Sequence, residues 1–89
     1  MNANAERVVT VRVVAFARLR ELLGFGERLV SVAHGTTAEA VWAQLAGESS
    51  QLAGLRASTR FARNGELIDG ATALREGDEL ALLPPVGGG

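Results

Sequence analysis

The chain has no cysteine, so disulfides and thiolate metal sites are excluded. It also has no lysine; all nine of its basic residues are arginine. An activated carboxyl group therefore finds no lysine amine on this chain, and lysine-linked self-conjugation is impossible. One histidine, His34, stands beside Gly35 in an apparent turn, too little for a histidine metal site or a Ser-His pair. The longest apolar run, residues 13–17, falls far short of a membrane span. The first seven residues lack the apolar stretch of a secretory signal, so a cytoplasmic protein with a loose tail over 1–7 is expected. With a net charge of −1 and no basic stretch, the chain lacks the electrostatic footprint of a nucleic-acid binder.

What remains is enough for one small core. Hydrophobic residues make up 47% of the 89, consistent with a single domain over 8–83. Residues 8–16 are rich in β-branched side chains and read as a strand, with Val11, Val13 and Ala15 on one face and Arg12, Val14 and Phe16 on the other. Residues 17–23 read as a short helical turn, and Gly24-Phe25-Gly26 breaks the chain before a second, antiparallel strand over 27–32. Thr36, with Glu39 three residues later, has the form of a capping box. The helix that follows carries Ala38, Val41, Trp42 and Leu45 on one stripe suited to packing on a sheet, with Trp42 as a core residue.

Residues 47–59 are weakly patterned and read as a loop with a helical turn. Residues 60–63 and 66–68 form a hairpin around Asn64-Gly65. Residues 74–78 read as a turn, whose acidic cluster Glu76, Asp78 and Glu79 is expected to be solvated. A last strand follows over 79–83, ended by Pro84-Pro85, since proline cannot donate to a ladder. The sum is an α+β layer arrangement: a mixed sheet of about five strands packed against one main helix, with the first and last strands side by side at its centre.

No catalytic constellation is visible. There is no phosphate-binding loop, nucleophile elbow or carboxylate pair, and Gly24-Phe25-Gly26 is too short for a dinucleotide fingerprint. The distinctive feature is the end of the chain. Residues 84–89 reach roughly 20 Å when extended. Pro84 and Pro85 stiffen the exit from the sheet, while Gly87, Gly88 and Gly89 lack side chains and suit a narrow channel. A carboxylate at the tip is a poor electrophile until ATP converts it to an acyl-adenylate; sulfide or a persulfide can then turn it into a thiocarboxylate. Without cysteine, both sulfur and activating machinery must come from other proteins.

Three segments carry a resemblance. Phe16-Ala17-Arg18-Leu19-Arg20-Glu21 resembles an F-A-x-x-R-E motif, Arg63-Asn64-Gly65 a strand-turn asparagine, and residues 77–89, ending Pro84-Pro85-Val86-Gly87-Gly88-Gly89, a closing P-P-V-x-G-G. Together they are similar to the small, sulfur-carrying subunits of molybdopterin synthases, which have the ubiquitin-like β-grasp fold. Gly87 stands where the family often has Ser, Thr or Ala, and Leu83 where Phe is common. The resemblance implies a cycle. An E1-like adenylyltransferase activates Gly89 with ATP and a sulfurtransferase supplies sulfur. The carrier then inserts its tail into the large subunit, in a heterotetramer, and donates sulfur to cyclic pyranopterin monophosphate. It implies a carrier that binds no cofactor of its own and is not an independent enzyme.

Strand alternation places Val14, Phe16, Ala81 and Leu83 outward, merging into an exposed apolar patch for that partner. Leu67, whose aligned position lies at family interfaces, extends it. A carrier serving thiamin or cysteine synthesis, and a plain interaction module with an idle tail, are the competing readings.

Overall fold

A computed structural model describes residues 7–85. Two tail expectations, residues 1–6 and Val86 through Gly89, lie outside the described residues. Five strands form one sheet in the order β2-β1-β5-β3-β4. They are β1 (Val8–Ala15), β2 (Glu27–Ala33), β3 (Arg60–Arg63), β4 (Glu66–Ile68) and β5 (Glu79–Leu83). β1 runs antiparallel to β2 and parallel to β5; β3 is antiparallel to both β5 and β4. The first and last strands are therefore central neighbours in a mixed sheet, as the alternation suggested. Helix α1 (Ala17–Leu23) follows β1, α2 (Ala38–Ala46) follows β2, and α3 (Ser50–Ala53) with a 3₁₀ turn (Arg56–Ser58) leads into β3.

The core lies on one face of the sheet. Val9, Val11, Val13, Ala15, Val32, Phe61, Leu80 and Leu82 point inward and are buried. Ala38, Val41, Trp42 and Leu45 of α2 meet them, with Leu19, Leu52 and Leu74 closing the sides. The Trp42 and Phe61 rings sit 6.2 Å apart at 58°, a tilted aromatic pair. Fully buried Leu52 anchors a stretch with no visible period, because one turn of helix is too short to show one.

The capping expectation is corrected by one residue. The cap of α2 is Thr37, whose side chain accepts from the Ala40 N–H at 3.1 Å. Thr36 instead donates its hydroxyl to the Ala33 carbonyl at 2.6 Å. Ala40, not Glu39, then occupies the third helical position, so no reciprocal box can close. Two further helix N–H groups are satisfied by the loop before Leu74: Ala38 donates to Thr72 O at 3.0 Å and Glu39 to Gly70 O at 2.8 Å.

Glu39 turns to Arg56, accepting from Nε at 2.7 Å and from Nη2 at 2.6 Å. These hydrogen bonds, chiefly, hold the Glu39 carboxyl below its ordinary range and raise Arg56. The Arg56 guanidinium also lies 4.5 Å from the centre of the Phe61 ring and donates to Thr59 O.

Candidate functional site

Everything that positions the start of the tail is built around β5. Its beginning is fixed by the preceding turn. Gly77, at φ +84, lets the chain reverse, and its N–H reaches Thr10 O at 2.8 Å. Asp78 accepts from the Arg75 N–H at 2.8 Å and from Asn64 Nδ2 at 2.9 Å. Asn64 takes φ +52, a conformation asparagine tolerates better than most residues, and its Oδ1 accepts from the Glu79 N–H at 2.9 Å. The expected solvated acidic turn is thus corrected at Asp78, while Glu76 is exposed and Glu79 partly so. Asp78 is only 8% exposed, because an asparagine from the distant hairpin covers it and satisfies it. Glu76 accepts from the Thr10 N–H and Glu79 from Arg12.

The register of β5 carries that anchoring to its far end. Val14 lies opposite Ala81, Ala81 opposite Ala62, and Ala62 opposite Leu67. These four make one continuous row across the outer face. Leu83 lies opposite Arg60 in the next row toward the tail. Phe16 has extended backbone and caps α1, so the alternation of β1 carries it outward; it is 45% exposed. Ala17 then takes φ +48, turning the chain abruptly into α1.

The expected patch residues Val14, Phe16, Leu67, Ala81 and Leu83 therefore occupy one region, with one correction. Ala81 points outward yet is buried, because a methyl group sits low between larger neighbours. Ala62 does the same beside it and was missed by the sequence reading, although Phe61 facing inward dictates that Ala62 faces out. The two alanines form a shallow floor, with half-exposed Phe16 toward one side and exposed Leu67 at the other.

The other half of the outer face is mixed: exposed Val8 and Leu29 stand among polar residues, and Leu29 lies opposite Arg12. Arg12 bridges Glu27 at 3.2 Å and Glu79 at 2.6 Å across three strands. The apolar half is the half from which the chain leaves the sheet through Pro84 and Pro85. Two clefts border these prolines, one lined by Arg18, Leu19, Leu55, Ser58 and Thr59, the other by Ala57, Ser58 and Arg60. Among the described residues no group of three His, Cys, Asp or Glu side chains could hold a metal, and no helix is long and apolar enough to cross a membrane. His34 is exposed in its turn.

Comparison with known proteins places this geometry among relatives. Residues 13–89 match the ThiS family. The molybdopterin synthase sulfur carrier subunit of Chlamydomonas reinhardtii is 32% identical, over 89% of this chain and 98% of that protein. The Haloferax volcanii HVO 2177 solution structure aligns with a TM-score of 0.81 at 30% identity, covering 92% of this chain and 88% of that one. A chain of the Helicobacter pylori complex of molybdopterin-converting factor subunits 1 and 2 aligns with a TM-score of 0.63 at 26% identity, covering 91% of this chain and all of that one.

Proposed function

The chain belongs to the ThiS family, and from that premise we propose that it is the sulfur-carrier subunit of a molybdopterin synthase. The observation that carries the reading is the coincidence of tail root and apolar surface. β5 is clamped at its start by Asn64 and Asp78 and delivers Pro84 and Pro85 beside the half of the sheet formed by Val14, Phe16, Ala62, Leu67, Ala81 and Leu83. One partner can cover the patch and receive the end of the chain together.

In this reading a carboxylate oxygen of Gly89 attacks the α-phosphorus of ATP in a partner adenylyltransferase, expelling pyrophosphate. Sulfur then attacks the acyl carbon and AMP leaves. Sulfide gives the thiocarboxylate directly; a persulfide gives an acyl disulfide, which a partner thiol reduces. The loaded carrier docks on the large subunit with Gly87 and Gly88 in its channel. The thiocarboxylate sulfur attacks a side-chain carbon of cyclic pyranopterin monophosphate, forming a C–S bond as a C–O bond at that carbon breaks and its oxygen leaves. Hydrolysis of the resulting acyl adduct regenerates the carboxylate. The carrier's own role is positional: it holds no metal or nucleotide and supplies a rigid body, a docking face and a thin leash.

Reconstitution tests this. Thiocarboxylated protein mixed with the large subunit and cyclic pyranopterin monophosphate is expected to yield molybdopterin, whereas the chain lacking Gly89 folds normally and transfers no sulfur. Transfer by the truncated chain contradicts the proposal. Sulfur accepted by a thiazole synthase or a cysteine synthase in place of the large subunit reassigns the pathway.

A further inference from the structure

The charges at the two ends of β5 are arranged differently. At its beginning, the carboxylates Glu76, Asp78 and Glu79 all accept hydrogen bonds from within the molecule. At its end, Arg18 on α1 and Arg60 at the start of β3 border the two clefts that flank Pro84 and Pro85. Arg60 is the register partner of Leu83, the last residue of β5. Both arginines are exposed. Among the described residues every ion pair uses Arg12, Arg28 or Arg56, and none uses Arg18 or Arg60. A chain of net charge −1 thus presents two uncommitted guanidinium groups where its tail leaves the sheet.

We infer that Arg18 and Arg60 form a cationic collar that recognises carboxylate side chains on the rim of the cavity into which the partner's large subunit admits the tail. This rests on the proposed carrier function and adds to it the chemistry of the rim. The length of the tail selects that occupant. Four residues beyond Pro85 span at most about 14 Å. When the tip is inside a cavity, groups at the root are held at its entrance, out of reach of a nucleotide or pterin at the tip. The planar fork of a guanidinium suits a carboxylate in two-point contact. The collar also adjoins Phe16 and Leu83, so it borders the apolar patch as a charged rim borders a binding core. Rim charges act chiefly on the rate of association and its salt dependence.

The test is stopped-flow association with the cognate large subunit, from low ionic strength to about 0.5 M salt, where the screening length shrinks to a few ångströms. The wild-type rate is expected to fall steeply with salt. The Arg18→Gln/Arg60→Gln protein should associate about tenfold more slowly at low salt and lose most of the salt dependence. Arg18→Lys/Arg60→Lys should keep most of the rate. Circular dichroism confirms that these surface variants are folded. A neutralised protein that matches wild type at every salt concentration overturns the collar alone. Failure of wild type to form any complex overturns the proposed partner and the collar with it.

Discussion

Asn64 shows how much one residue decides. Its backbone sits in the left-handed region, its N–H donates to Glu79 O at 2.9 Å, and its side chain bonds both Asp78 and the Glu79 N–H. The carboxamide can donate and accept at once, which neither aspartate nor alanine can do. Asn64→Ala should cost about 2 kcal/mol in urea unfolding, since it strands a buried carboxylate oxygen. Asn64→Gly loses the same side-chain bonds but relaxes the backbone, and should cost about 1 kcal/mol less. Equal losses would show that the backbone conformation contributes nothing. Asn64-Gly65 was legible in the sequence as a turn. Its bond to Asp78 was not, because nothing local in the sequence brings the two together.

Among the elements, α2 depends on the loop that caps it. Gly70 accepts from the Glu39 N–H through its carbonyl, and a Cβ placed there would lie 2.5 Å from Glu39 Oε1 and 3.0 Å from Arg56 Nη2. Gly70→Ala should push the Glu39 carboxylate off Arg56 and return its pKa toward the ordinary 4.5. Glu39 in the folded state takes up its proton less readily than in the unfolded chain. The pair's stabilisation is thus full above the ordinary pKa and is lost as pH falls through the lowered one. The pair is half-exposed, so that contribution stays below about 1 kcal/mol. NMR titration of Glu39 in both proteins checks this; an unchanged midpoint would contradict it. The stripe of α2 was readable because four apolar residues recur at helical spacing. Its cap was not, because Thr36 and Thr37 are both good caps and only the structure shows which hydroxyl faces the helix. Alternation likewise located Val14, Phe16, Ala81 and Leu83, but it gives direction without depth. It therefore could not foresee that Ala81 and Ala62 lie beneath their neighbours.

At the scale of the molecule, the sheet separates stability from recognition. Its inner face is closed by α2, and its outer face is divided into a half that mixes the ion pairs of Arg12 with exposed Leu29 and Val8 and an apolar half at the tail root. Substitution on the apolar half should therefore affect binding more than folding. Phe16→Asp, whose side chain is 45% exposed, should leave the melting temperature near wild type and weaken large-subunit binding about tenfold or more by calorimetry. Leu83→Asp should weaken binding similarly, at some cost in stability because Leu83 is half-buried. Unchanged affinity in both would remove the patch from the interface. Nine arginines with no lysine fit the same division of labour, since the activated end can acylate no lysine on another copy of the chain.

In the proposed cycle, the end of this chain carries sulfur as an acyl group. Fragmentation mass spectrometry of the protein purified from cells tests it most directly. A gain of about 16 Da confined to Gly89 is expected, oxygen replaced by sulfur, and distinguishable by position from oxidation of Met1. A terminal Gly89 that carries only oxygen in cells actively making molybdopterin would contradict it.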